Sequence, residues 1–214
     1  MKVAVLGSGT VGQVLADGFL KHGHEVVRGT RSPEKLAAWA AKAGAKASTA
    51  TFAEAVKAAE LVVLAVKGSA AEEVVRLTGP GALAGRTVID TTNPIADAPP
   101  SNGVLHYFTT LEESLMERLQ RLAPEARFVK AFSCVGNALM VNPDFGGEKP
   151  TMFICGNDPG AKQQVQGVLS QFGWEWEDIG GVEGARAIEP LCILWCAPGF
   201  QRNQWSHAYR VLRK

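Results

Sequence analysis

The segment Val3–Gly12 constrains this chain more than any other. Val3-Ala4-Val5-Leu6 is a short apolar run rich in β-branched residues, the pattern of a buried strand. Gly7-Ser8-Gly9-Thr10-Val11-Gly12 follows without a gap, and Val11, Val14, Leu15, Gly18 and Phe19 then recur at helical spacing. The glycines therefore fall where a strand turns into a helix. Gly7 permits the tight turn, Gly9 lets a pyrophosphate approach the backbone, and Gly12 lets helix and strand pack closely. An anion held there meets free N–H groups and the positive end of the helix dipole. Glu25-Val26-Val27-Arg28 supplies a second strand and completes a βαβ start. A G-x-G-x-x-G alone is a weak signal. With strand, helix and second strand in register it points to a dinucleotide site.

The tip of the second strand then selects the nucleotide. A site for NAD places Asp or Glu there, to bond the ribose 2′-hydroxyl. Here the tip reads Gly29-Thr30-Arg31-Ser32, and Glu25 stands at the wrong end of the strand. A guanidinium pairs with a 2′-phosphate, two hydroxyls can donate to it, and Lys35 on the next helical turn adds charge. The expected cofactor is NADP(H).

Composition narrows the partners. The chain has 214 residues, 46% of them hydrophobic, and a formal net charge of +1. That gives no electrostatic support for a nucleic-acid or membrane-surface role. No apolar run approaches the length of a membrane span, and Met1-Lys2 leads straight into a strand, so a cytoplasmic protein is expected. The four cysteines form no C-x-x-C pair. Cys192 and Cys196 share a helix face with no histidine pair beside them, so buried free thiols are expected and no metal site.

Downstream, Ser32-Pro33 opens a helix in an Ala-rich stretch, Leu36–Ala47, with Gly44 as its stop. Phe52, Ala55, Val56 and Ala59 mark another helix. Leu61–Val66 is a central parallel strand buried on both faces. Ser69 and Glu72 fit a capping box for a helix through Leu77. Thr87-Val88-Ile89-Asp90 is the next strand. Thr110 and Glu113 cap a helix carrying Leu111, Leu115, Leu119 and Leu122, and Arg127–Phe132 is a further strand. Ligands in open α/β sheets bind beyond the carboxyl ends of the strands. That places Ser8–Val11, Thr30–Ser32, Ala65–Gly68 (with Ala65 and Val66) and Thr91–Pro94 (with Asn93 and Pro94) on one rim, and Ser133–Asn137 extends it. Asn142–Pro150 is a loop, either a flap over the site or plain surface. Thr151–Cys155 is a strand, and Asp158-Pro159 starts a helix. Trp174 and Trp176 alternate with glutamates in a half-buried strand. A helix kinked at Pro190 ends at Pro198-Gly199, and Trp205, Tyr209 and Leu212 suggest a last short helix. The fold class is α/β, a doubly wound, mostly parallel Rossmann-like sheet. Residues 1–180 form its nucleotide-binding domain, and 181–214 are a C-terminal helical extension packed on it.

Val3–Gly12, Gly29-Thr30-Arg31-Ser32, Ile89–Pro94, Lys130-Ala131-Phe132 and the Glu189-Pro190-Leu191…Leu194-Trp195 helix resemble the NADP oxidoreductases that depend on coenzyme F420, a deazaflavin. The cytosolic reductase domain of the six-transmembrane metalloreductases is similar. The resemblance implies a C-terminal part covering the nicotinamide, a homodimer, and hydride transfer between NADPH and a stacked deazaflavin or flavin. It implies that Ser8, Gly9, Thr10 and Val11 hold the pyrophosphate, that Thr30, Arg31 and Lys35 hold the 2′-phosphate, and that Val66, Asn93 and Ala131 line the nicotinamide pocket. Archaeal members carry a histidine just after the strand that ends at Phe132; here Ser133 and Cys134 stand there.

Hydride passing between two aromatic rings needs stacking and distance control, but no protein acid. A carbonyl or imine reductase must protonate its substrate or product. The candidates for such an acid are His106, Tyr107 and Lys67, with His207 behind them, and the sequence assigns none a catalytic role. Trp195 reads as core or as a wall for the acceptor ring. Two alternatives therefore stand beside deazaflavin or flavin reduction: a reductase of a small carbonyl or imine, and a non-catalytic NADPH-binding redox sensor.

Overall fold

The computed structural model describes all 214 residues. Six parallel strands form the main sheet: β1 (Lys2–Leu6), β2 (Glu25–Gly29), β3 (Ala47–Ala50), β4 (Leu61–Leu64), β5 (Thr87–Asp90) and β6 (Arg127–Lys130). Their order, β3-β2-β1-β4-β5-β6, reverses direction between β1 and β4, which opens a crevice there. The register aligns the strand ends. Gly29 pairs with Leu6, Leu6 with Leu64, Leu64 with Asp90, and Asp90 with Lys130. The loops leaving β2, β1, β4, β5 and β6 therefore start from one line, which makes the expected rim.

Alternation along the strands splits the core into two layers. Val3, Val5, Leu61 and Val63 face Leu15 and Phe19 of α1 (Thr10–Lys21) and Val165, Val168 and Leu169 of α6 (Pro159–Gln171). Ala4, Leu6, Val62 and Leu64 face the other layer, built from α3 (Phe52–Lys57), α4 (Gly68–Leu77) and α5 (Leu115–Leu122). Between β2 and β3 the chain makes a 3₁₀ turn at Pro33–Leu36 and then α2 (Ala37–Ala43). A second, two-stranded parallel sheet pairs β7 (Thr151–Ile154) with β8 (Glu175–Asp178), joined to β6 through one bridge between Lys130 and Cys155. α7 (Ala185–Ile188) and α8 (Pro190–Arg202) close the fold, and Val182, Ala185 and Ile188 enter the α3–α5 layer. No helix is long and apolar enough to cross a membrane.

Several boundaries differ from the sequence reading. The Ala-rich helix stops at Gly44, and Ala47–Ala50 is instead the edge strand β3, whose weak β-formers pair because β2 offers them a partner. Ser69 does not cap α4. The helix starts two residues earlier, with Lys67 at the N-cap, and Glu72 pairs with Arg76. The capping box of α5 is Ser114 with Glu117, not Thr110 with Glu113, and Leu111 lies out in solvent. Trp176 on β8 is exposed, while Trp174, just before that strand, is buried in the core with its indole N–H on the Met140 carbonyl. α8 runs through Pro198 to Arg202 and ends at Asn203 in a left-handed conformation. Residues 203–214 are not helical: Tyr209 accepts from the Thr151 backbone N–H, so the tail lies along β7.

Candidate nucleotide site

The glycine turn is built by exclusion. Gly7 has φ +145°, and a Cβ there would collide with the Ala65 carbonyl, so the turn is pressed against the end of β4. A Cβ at Gly12 would stand 2.8 Å from the Gly7 carbonyl oxygen. Gly9 is the opposite case: a Cβ there meets no atom within 4 Å, so the space it faces is free. Gly9 is also the N-cap of α1, no side chain caps that end, and its first turn holds no acid. Its N–H groups are left without intrahelical partners, as an anion requires.

A cavity of about 360 Å³ lies over this turn. Its walls come from three rim loops: Gly9, Thr10 and Val11 after β1; Ala65, Val66, Lys67 and Gly68 after β4; Thr91, Thr92, Asn93 and Ile95 after β5. Ser8 is exposed beside it. Thr30, Arg31, Ser32 and Lys35 stand at the tip of β2, outside the cavity wall. Thr30 is largely buried and its hydroxyl accepts from the Ser32 N–H, whereas Arg31 is exposed, 3.8 Å from Glu73. Pro94 is buried behind Asn93. Ala131 does not reach the cavity: it is fully buried, and only its N–H is engaged, by Asp90. No residue of the Asn142–Pro150 loop lines the cavity; that loop packs beside Ala208–Arg210 of the tail. The free space at Gly9, the uncapped helix end and the cavity volume fit a nicotinamide dinucleotide.

The β5–β6 end of the rim holds a network that sequence reasoning missed. Lys130, fully buried, places its Nζ 2.7 Å from Asp90, 2.8 Å from Glu189 and 2.9 Å from the Thr92 carbonyl. Burial alone would lower its pKa, but the two carboxylates outweigh that and raise it. Asp90 also accepts from the N–H and hydroxyl of Thr92, at the start of the loop that carries Asn93. Glu189 accepts from the N–H groups of Leu115 and Met116, so the positive end of α5 balances the second carboxylate. The Lys-Ala-Phe and Glu-Pro-Leu segments thus form one internal clasp. It ties the rim to the C-terminal helices. Beside it, Asn93 donates to the Ser133 carbonyl at 2.6 Å, while Asn93 Oδ1 and Ser133 Oγ are buried without partners.

Arg28 was also missed as more than a strand residue. It is 1% exposed, and its Nη2 donates to the carbonyls of Gly7 and Gly9. A charge inside each of three apolar strand runs (Arg28, Asp90 and Lys130) was the available signal, since a buried charge must find partners.

The candidate acids separate. Lys67 lines the cavity, but its ammonium is solvent-exposed and paired with Asp97. His106 bonds Ser101, and Tyr107 donates to the Glu189 carbonyl; both line a neighbouring cavity instead. Burial, together with Cys192 nearby, raises the Tyr107 pKa and makes it a poor acid. His207 stacks on Trp195, whose ring covers Gly136 and whose Nε1 donates to the His207 carbonyl, so Trp195 holds the tail. All four cysteines are free thiols; Cys196 is only partly buried, with its sulfur 4.0 Å from that of Cys192.

Comparison with known proteins agrees with this geometry. Residues 2–94 match the model of the family described as NADP oxidoreductase, coenzyme F420-dependent. A crystal structure from Arthrobacter sp. FB24, provisionally described as an F420-dependent NADP-reductase, superposes with a TM-score of 0.91 at 32% identity, covering 100% of both chains. The metalloreductase STEAP3 of Rattus norvegicus is 31% identical over 205 residues, 92% of this chain but 38% of that protein. A reductive aminase from Aspergillus terreus, in complex with NADPH and ethyl levulinate, has a TM-score of 0.66 at 23% identity, over 90% of this chain and 59% of its own, a likeness of fold alone.

Proposed function

Because this chain belongs to the family of coenzyme F420-dependent NADP oxidoreductases, and is an NADP-dependent oxidoreductase, we propose that it passes hydride between NADP(H) and the ring of a deazaflavin, coenzyme F420, or of a flavin. In this reading the N–H groups of Gly9, Thr10 and Val11 hold the pyrophosphate, with Ser8 beside them. Thr30, Arg31, Ser32 and Lys35 take the 2′-phosphate. Val66 and Asn93 flank the nicotinamide, and the partnerless Asn93 Oδ1 suits its carboxamide. NADPH supplies the hydride when bound.

One observation carries the choice of acceptor. Lys67 is the single ionisable side chain lining the cavity, and its charge is spent on Asp97 in solvent. Such a site can align two rings but offers no placed proton donor, which suits ring-to-ring transfer and not carbonyl or imine reduction. A homodimer accompanies the reading, supported by the apolar side chains of Leu194 and Phe200 exposed on α8.

The test is anaerobic NADPH oxidation with a panel of acceptors: coenzyme F420, FMN, FAD, ferric chelates, carbonyls and imines. Turnover with the deazaflavin or a flavin is expected. Oxidation with carbonyls or imines alone would replace this reading, and NADPH bound without turnover on any acceptor would make the chain a sensor.

A further inference from the structure

Arg28 sits on β2 under the glycine turn, in a place where a charged side chain needs a reason. Its Nη2 donates to Gly7 at 3.1 Å and to Gly9 at 3.3 Å, from the side of the turn that carries the carbonyls. Its guanidinium lies 4.9 Å from the centre of the Trp39 ring. Its Nε is buried without a partner. No carboxylate lies within ion-pair distance of it. Asp17, whose charge acts on it from farther off, is held by the Trp39 indole N–H at 2.8 Å. Two carbonyls and an aromatic face thus partner a cation that no contact anion neutralises. That is a costly arrangement for a protein interior, and one that an anion on the other side of the loop relieves.

We propose that Arg28 is a positioning residue for the dinucleotide phosphates: it pins the Gly7 and Gly9 carbonyls inward, so that the N–H groups face out, and sets under the loop a fixed cation whose counter-ion is the bound phosphate. The proposal rests on the nucleotide-site reading above and adds a division of labour to it. Arg28 serves the phosphates common to NADPH and NADH, and Arg31 serves the 2′-phosphate alone.

Calorimetric titration of wild type, Arg28→Met, Arg28→Gln and Arg28→Lys with NADPH and with NADH, after circular dichroism has shown each to be folded, tests it. Arg28→Met is expected to weaken both nucleotides about tenfold or more, at unchanged stoichiometry, and Arg28→Lys to recover part of that loss. A role in folding alone would lower the stoichiometry and leave Kd unchanged, which overturns the proposal, as does an Arg28→Met that binds both nucleotides as wild type does. If Arg28→Met does not fold, Arg28→Gln decides. It keeps an amide N–H₂ for the carbonyls without the charge, a loss of threefold or more for both nucleotides is expected, and no loss refutes the idea. Wild-type protein that binds neither nucleotide overturns the nucleotide-site reading itself, an outcome distinct from intact binding in the variants.

Discussion

At the β2 end of the rim the charges face water; at the β6 end they are sealed. Arg31 and Lys35 are exposed, and the only ion pair at that tip is the long contact between Arg31 and Glu73. Lys130, Asp90 and Glu189 are all but inaccessible, and the ammonium lies within 2.7–2.9 Å of two carboxylate oxygens and one carbonyl. Exposed pairs contribute little to stability and stay free to meet a ligand. Buried pairs are expensive to break and hold geometry. The open end is therefore suited to recognising an anion that comes and goes. The closed end is suited to keeping the β5 and β6 exits and α8 in fixed relation.

The most severe way to break this contrast is at Lys130. Lys130→Met leaves two buried carboxylates without their shared cation, and a loss of about 3–5 kcal/mol of stability is expected. Urea unfolding measures it directly. In a chain of this size that loss corresponds to a fall in Tm of roughly 10 °C. A loss below about 1 kcal/mol would mean that the carboxylates find protons or water at little cost, and the β6 end would not be the rigid one.

The two ends also differ in how much of them the sequence reveals. The β2 end is written locally: a glycine turn, a strand and a tip within Val3–Lys35, each with its own turn or charge chemistry. The β6 end joins Asp90, Lys130 and Glu189, which are neighbours only because β5 and β6 pair in register and α8 folds back over them. Nothing local says that these three meet. The misplaced starts of α4 and α5 have a related cause. Ser69 and Thr110 have the right residues at the right spacing, but tertiary packing chose other N-caps, Lys67 beside Asn93 and Ser114 beside Glu189. The edge strand β3 was hidden because Ala47-Ser48-Thr49-Ala50 has little strand character of its own.

Two further substitutions sharpen the contrast from the open end. Gly9→Val introduces a side chain where the protein has no atom within 4 Å, so stability should change by less than about 1 kcal/mol. The added methyls occupy the cradle itself, and NADPH affinity should fall on the order of a hundredfold, about 2.7 kcal/mol. Equal tightness in that variant would move the phosphates off the glycine turn. Arg31→Asp should weaken NADPH about tenfold or more, by roughly 1.4 kcal/mol, and alter NADH little. Equal losses for both nucleotides would show that Arg31 does not read the 2′-phosphate.

The smallest effect comes from a pair that lies between the two extremes. Glu117, on α5, is 7% exposed and accepts from Arg186 on α7, whose Nε lies 2.9 Å from Oε2, and from both the N–H and the hydroxyl of Ser114. Arg186 pulls the Glu117 carboxyl down from 4.5 to about 2, against burial, with Ser114 adding to the effect. A carboxyl whose folded pKa lies below its unfolded value stabilises the fold above the unfolded value and loses that contribution as pH falls through the folded one. The window therefore runs from 4.5 down to about 2. Because the Arg186 side chain is 41% exposed, solvent screens the pair, and Arg186→Met should cost little stability at neutral pH. Between pH 4.5 and pH 2 the variant should lose less stability than wild type, since its Glu117 no longer titrates as far below the unfolded value. Urea midpoints across that range would reveal it. Parallel acid profiles would mean that Ser114 and the α5 terminus alone keep Glu117 charged, and that α7 is held by its apolar contacts rather than by this ion pair.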